Sequence, residues 1–307
     1  MTQVKKQKSF KIPILFMVFN RVEQTKKVFQ AIRDIKPEVL YIASDGARNT
    51  EEEKTIKVIR SIFEKNIDWD CKLDTLYRNK NLGCREACSS AIDWFFENEE
   101  MGIVLEDDCL PNYSFFYFCE ELLHKYKHDT RIGMIAGNCS YQVNGVAADY
   151  FFSKYPQLWG WATWRRAWNF YDVNFSSLEK FIQLNGFSSI LYSEKEAYYW
   201  KNCFKEFSKN LIDTWDFQLL ISFWSQSMLC VVPAKNLVSN IGFGDGATHT
   251  HDGNSELSNA LTYELKSPIN HPELVIPNKN FDNLLLHKEF LPSLRSKIIY
   301  KLKKILW

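Results

Sequence analysis

The chain has 307 residues, 46% of them hydrophobic, and a formal net charge of +1. That is enough apolar material for one large α/β domain or two ordinary ones, and so balanced a charge gives no support for nucleic-acid binding. No apolar run reaches the length of a membrane span, and no secretory signal is expected at the start.

Residues 1–11 are polar and basic and read as a flexible arm. Ile12 to Phe19 is nearly continuous in apolar residues, which suits a central parallel strand buried on both faces. Asn20 and Arg21 follow at its carboxyl end. The spacing of Val28, Ala31, Ile32 and Ile35 predicts a helix over 23–35. Val39 to Ala43 is a second strand and runs into Ser44-Asp45-Gly46-Ala47-Arg48. Ile56, Ile59, Ile62 and Phe63 place a second helix over 51–64. A third strand is expected over 71–76, then the turn-rich Arg78-Asn79-Lys80-Asn81-Leu82-Gly83, then a helix over 84–97. Ile103 to Leu105 is the fourth strand. This alternation is the rhythm of a doubly wound sheet. Neither G-x-G-x-x-G nor G-x-x-x-x-G-K-[ST] follows the first strand, which argues against dinucleotide enzymes and P-loop NTPases.

Beyond Pro111 a helix over 114–126 and a strand over 132–136 are predicted. The later half is less regular. The run Tyr155 to Trp168 holds four tryptophans, Trp159, Trp161, Trp164 and Trp168, and reads as part core and part pocket wall. Asp213-Thr214-Trp215-Asp216 leads into an apolar helix through Phe223. Cys230 to Val232 is another strand. A Gly-rich loop from Asn240 carries His249 and His251. At the end, Leu294, Ile298, Leu302, Ile305 and Leu306 form one helical stripe among lysines. Residues 291–307 therefore read as a basic amphipathic helix, suited equally to a membrane surface and to docking on protein. Eight cysteines form no C-x-x-C pair and are expected to be reduced, in a cytoplasmic setting.

The chemistry concentrates at Gly102 to Pro111, where a short apolar strand ends in Glu106-Asp107-Asp108. Three adjacent carboxylates repel one another unless a cation or a ribose shares them. In open α/β sheets, ligands sit outside the carboxyl ends of the strands. Acidic side chains there can hold Mg²⁺ or Mn²⁺, and through the ion a diphosphate. Arg21, Asp45 and Arg78 fall after other strands, so one nucleotide-sized crevice would collect them.

Taken together, Phe19-Asn20-Arg21, Ser44-Asp45, Leu105-Glu106-Asp107-Asp108 with Pro111, Leu158-Trp159-Gly160-Trp161, Trp215-Asp216 and the segment ending at His249 resemble the GT-A nucleotide-sugar glycosyltransferases. They are most similar to the inverting N-acetylglucosaminyltransferase I branch and its bacterial relatives. The resemblance covers roughly 12–251. It implies an α/β, Rossmann-like, mostly parallel sheet flanked by helices, with a nucleotide-binding half over 12–136 and an acceptor-binding half over 137–290. It implies a UDP-sugar donor carrying N-acetylglucosamine or another hexose, a glycan or glycolipid acceptor, and a Mn²⁺ or Mg²⁺ cofactor. Asp45 would meet the uracil, and Arg21 would lie along the nucleotide and its diphosphate, with Arg78 able to add hydrogen bonds. Glu106, Asp107 and Trp161 would contact the donor. Asp108 and His249 would face the metal, with His251 as a competitor. Asp216 would be the general base, with Asp213 as a competitor. Bacterial surface polysaccharide synthesis at the inner face of the membrane would fit. A sugar-nucleotide pyrophosphorylase and a non-catalytic carbohydrate-binding protein are the rival readings.

Overall fold

A computed structural model describes residues 9–209, 213–244 and 255–291. The first half alternates as the apolar spacing predicts: β1 (Ile14–Val18), α1 (Val22–Ile35), β2 (Val39–Ser44), α2 (Thr50–Asn66), β3 (Lys72–Tyr77), α3 (Cys84–Asn98) and β4 (Met101–Glu106). Then come β5 (Cys109–Pro111), α4 (Tyr113–Lys125), β6 (Ile132–Ala136), β7 (Tyr150–Ser153) and β8 (Trp161–Trp164). Helices α5 (Arg165–Trp168), α6 (Leu178–Gln183), α7 (Gly186–Ile190), α8 (Glu194–Phe207) and α9 (Asp216–Ser225) follow. The rest is β9 (Leu229–Pro233), β10 (Val238–Asn240), α10 (Lys279–Leu285) and a π-helical turn, Leu286–Phe290.

Eight strands form one sheet in the order β3-β2-β1-β4-β8-β6-β9-β7. The first four are parallel, and β8 enters antiparallel between β4 and β6. Because β8 opposes both neighbours, β6 runs with β4, and their carboxyl ends share one edge of the sheet. Both faces are covered. Along β1, Ile14, Phe16 and Val18 pack with α1, α2 and α4 on one side, while Leu15 and Met17 pack with α3, α8 and α9 on the other. A strand buried on both faces has no polar side to show, which is why its sequence is continuously apolar.

Two expectations change here. Phe10, assigned to the arm, is buried against Phe116, and Glu38 N–H donates to its carbonyl at 2.9 Å. The tryptophan run hides a strand: all four residues of β8 are buried in the middle of the sheet. The predicted 291–307 helix and the His249–His251 loop lie outside the described residues. Among the described residues no helix is long and apolar enough to cross a membrane.

A separate two-stranded sheet pairs β5 with β10, antiparallel. It clamps the turn after β4: Ile241 N–H donates to Asp108 O at 2.8 Å, and Asn112 N–H to Leu237 O at 2.9 Å. Asn112 then caps α4 by accepting from Phe115 N–H at 3.0 Å. The acidic turn is thus held at both ends by backbone pairing.

Candidate functional site

The exits of β1, β2, β3 and β4 open into one hollow of about 270 Å³. Its floor is Met17, Ala43, Ala87, Cys88 and Ala91, small or flexible apolar residues between the sheet and α3. Polar groups ring its mouth. Arg21, Asp45, Arg78, Glu106 and Asp107, all expected from the sequence, line it together. Asn20, Arg48, Asn81, Cys84 and Asp213 line it as well.

Arg21 stands at the end of β1, beside β4. Its Nη1 donates to Asp107 Oδ1 at 3.1 Å and to Asp108 Oδ2 at 2.7 Å. The Phe19 N–H donates to the other Asp107 oxygen at 3.2 Å. Burial works against the charged guanidinium, but the attraction of Asp107 and Asp108 prevails and raises Arg21 above its ordinary value. Burial, then the Asp108 charge, pushes Asp107 up to about 6 against the pull of Arg21. The same two causes raise Glu106 well above the usual carboxylate range. Asp108 is not among the residues that line the hollow but reaches it through Arg21, and it packs against Gly242, which has no room for a side chain: a Cβ there would lie 2.2 Å from Asp108 Oδ2.

Asp45 is 8% exposed and is fixed by the loop after β3. It accepts from Asn81 Nδ2 at 2.9 Å and from Leu82 N–H at 3.0 Å. Burial raises it, and the Leu82 N–H opposes the rise. Arg60 of α2 braces this corner. Its guanidinium donates to the carbonyls of Ser44, Asp45 and Arg78 at 3.3, 3.2 and 2.8 Å. One side chain therefore ties the ends of β2 and β3 together. Arg78 itself donates to Ser90 Oγ at 2.8 Å and, among the described residues, makes no ion pair. Arg48 pairs with Glu52 and lies 5.1 Å over the Phe19 ring.

Asp213 and Asp216 separate into different tasks. Asp213 accepts from the Cys84 and Arg85 N–H groups, each at 2.9 Å, and so satisfies the exposed amides at the start of α3. Gly83 precedes them at φ +80°, and a Cβ there would lie 2.8 Å from Asp213 Oδ2. A carboxylate with two backbone donors is a cap first. Asp216 opens α9, and its Oδ1 accepts from the Thr214 hydroxyl and from Phe217 N–H at 2.8 Å. It is not among the residues that line the hollow. Tyr171 braces the residue before Asp216: its hydroxyl donates to Trp215 O at 3.2 Å, and burial is the main cause that raises it above its ordinary value.

Trp161, expected on the donor, lies elsewhere. It is 1% exposed in β8 and stacks on Trp215 at 5.8 Å between ring centroids. It therefore supports the turn that carries Asp216, one layer behind the hollow. Its indole N–H has no hydrogen-bond partner among the described residues.

The Glu106–Asp108 turn offers hard oxygen donors of the kind Mg²⁺ and Mn²⁺ take, and such ions commonly bind one or two carboxylates and complete their shell with substrate phosphates and water. The donor set fits that mode. Among the described residues no three His, Cys, Asp or Glu side chains form a cage that would hold a metal without such help.

No protein-family model and no curated protein matches the sequence. Solved structures do. S. aureus TarS, residues 1–349, aligns over 73% of this chain and 58% of its own, at 10% identity and a TM-score of 0.42. HddC from Yersinia pseudotuberculosis aligns over 54% and 83%, at 9% identity and a TM-score of 0.31. A UDP-glucose pyrophosphorylase complexed with UDP-glucose aligns over 48% and 64%, at 16% identity and a TM-score of 0.27.

Proposed function

We propose that the hollow binds a UDP-sugar and that the protein transfers the sugar, with inversion, to a hydroxyl of a glycan or glycolipid. The observation that carries this reading is the gathering of Arg21, Asp45, Arg78, Glu106 and Asp107 around one cavity at the strand exits. Asp45, held beside β3, takes the nucleobase N–H. The arginines at the mouth take the diphosphate through charge-assisted hydrogen bonds. Arg48 joins Arg21 and Arg78 in this role. Glu106 and Asp107 take the hydroxyls of ribose and sugar.

Asp108 is the residue assigned to a divalent cation, with Asp107 as its neighbour; His249 and His251 fall outside the described residues. When bound, Mn²⁺ or Mg²⁺ supplies Lewis-acid stabilisation of the departing diphosphate. Asp216 takes the proton of the acceptor hydroxyl as it attacks the anomeric carbon. Both of its present hydrogen bonds use Oδ1, so Oδ2 is assigned to that proton. General-base assistance of this kind is worth about 10²–10⁴ in rate.

Product analysis tests the reading. Incubation with UDP-sugars and Mn²⁺ should release UDP and form a glycoside. Asp216→Asn should lower transfer by about 10²–10⁴ while donor binding persists. Pyrophosphate release from a nucleoside triphosphate and a sugar phosphate would instead identify a pyrophosphorylase. Saturable glycan binding with no donor turnover would identify a binding protein.

A further inference from the structure

The Arg21 side chain holds two positions' worth of chemistry. It lines the hollow, where a diphosphate would need it, yet its Nη1 is bound between Asp107 Oδ1 and Asp108 Oδ2 at 3.1 and 2.7 Å. Those are the oxygens a divalent cation would need. Side-chain exposures of 20%, 8% and 13% for Arg21, Asp107 and Asp108 leave little water to screen the three charges. Nor can the carboxylates retreat, because Phe19 N–H holds one and Gly242 crowds the other. Two cations cannot both occupy so small a space without repelling each other.

We propose that Arg21 is the resident counter-ion of the Asp107–Asp108 pair and is exchanged for the divalent cation when the donor binds. The guanidinium leaves the carboxylates and turns to the diphosphate in the hollow. The second half of this exchange rests on the nucleotide-sugar reading; the first half is a property of the nucleotide-free protein. Without a diphosphate, an incoming ion strands Arg21 as a neighbouring positive charge. With one, Arg21 gains a partner as it loses its old ones. Metal and nucleotide therefore favour each other's binding through Arg21, and by linkage the effect is reciprocal.

Mn²⁺ titration followed by the electron paramagnetic resonance of the free ion tests this on the full chain. Without nucleotide, Arg21→Gln should bind Mn²⁺ about tenfold more tightly than the unchanged protein, within the roughly 5–150-fold range of such couplings. With UDP added, the unchanged protein should gain more Mn²⁺ affinity than Arg21→Gln does. Complexation of Mn²⁺ by free UDP is the same for both proteins, so the difference isolates Arg21. Equal or weaker Mn²⁺ binding by Arg21→Gln in the absence of nucleotide would overturn the exchange. If Arg21→Gln does not fold, ¹⁵N-arginine NMR of the unchanged protein gives the second reading. The Arg21 guanidinium signal should move at saturating Mg²⁺ and move again with UDP; a signal unmoved by Mg²⁺ would overturn the exchange. Tighter Mn²⁺ binding by Arg21→Gln with no UDP binding to either protein would uphold the first half and reject the nucleotide-sugar reading.

Discussion

Gly242 shows how little tolerance surrounds the acidic turn. A methyl group there would sit 2.2 Å from Asp108 Oδ2 and 2.6 Å from its Cβ, so rotation of the carboxylate alone cannot relieve the clash. Gly242→Ala should displace Asp108, break its pairing with Arg21 and cost on the order of 1–3 kcal/mol. A urea titration gives the stability loss, and an unchanged midpoint would show that the turn is slack. Asp282 makes a different prediction. It is fully buried in α10 and accepts from Ser153 Oγ at 2.5 Å and the Tyr192 hydroxyl at 2.8 Å. Burial raises it from 3.8 to about 6, against the pull of those hydrogen bonds. A carboxyl raised on folding favours the folded state while protonated. That contribution is complete below about pH 4 and is lost as pH climbs through 6. One pH unit is worth about 1.4 kcal/mol, so the effect is roughly 3 kcal/mol. Across pH 4 to 7 the unchanged protein should lose stability relative to Asp282→Asn. Parallel melting curves across that range would reject the assignment.

Strand β8 and helix α9 are coupled by the Trp161–Trp215 stack, and through it the sheet sets where Asp216 stands. Trp161→Ala should cost about 3–5 kcal/mol, as large buried aromatics do. Trp161→Phe should cost much less, because it also removes an indole N–H that has no partner among the described residues. Comparable losses for both would mean that the N–H is satisfied after all. The same strand explains where sequence reading falls short. β1, β2 and β4 are plain as apolar runs between amphipathic helices. β8 is framed by Gly160 and by Arg165, and with both faces covered it has no alternation to betray it. β5 and β10 are three residues each, too short for any pattern, although their pairing clamps the acidic turn.

Across the molecule, the sheet order assembles the hollow. Arg21 and Asp107 are 86 positions apart, and they meet because β1 lies beside β4. Their residue types were readable as chemistry; their pairing was not, since it depends on strand order. Arg48 and Asn81 join through loops whose composition resembles any other turn, and Cys84 joins from the first turn of α3. Asp213 joins from 129 positions away to cap α3. Calorimetric titration of UDP in the presence of Mn²⁺ addresses the whole assembly at once. Saturable binding at one site, weakened at least tenfold in Asp45→Ala with the fold intact, is the predicted result. The absence of binding, or an affinity indifferent to Asp45, would contradict a nucleotide in this hollow.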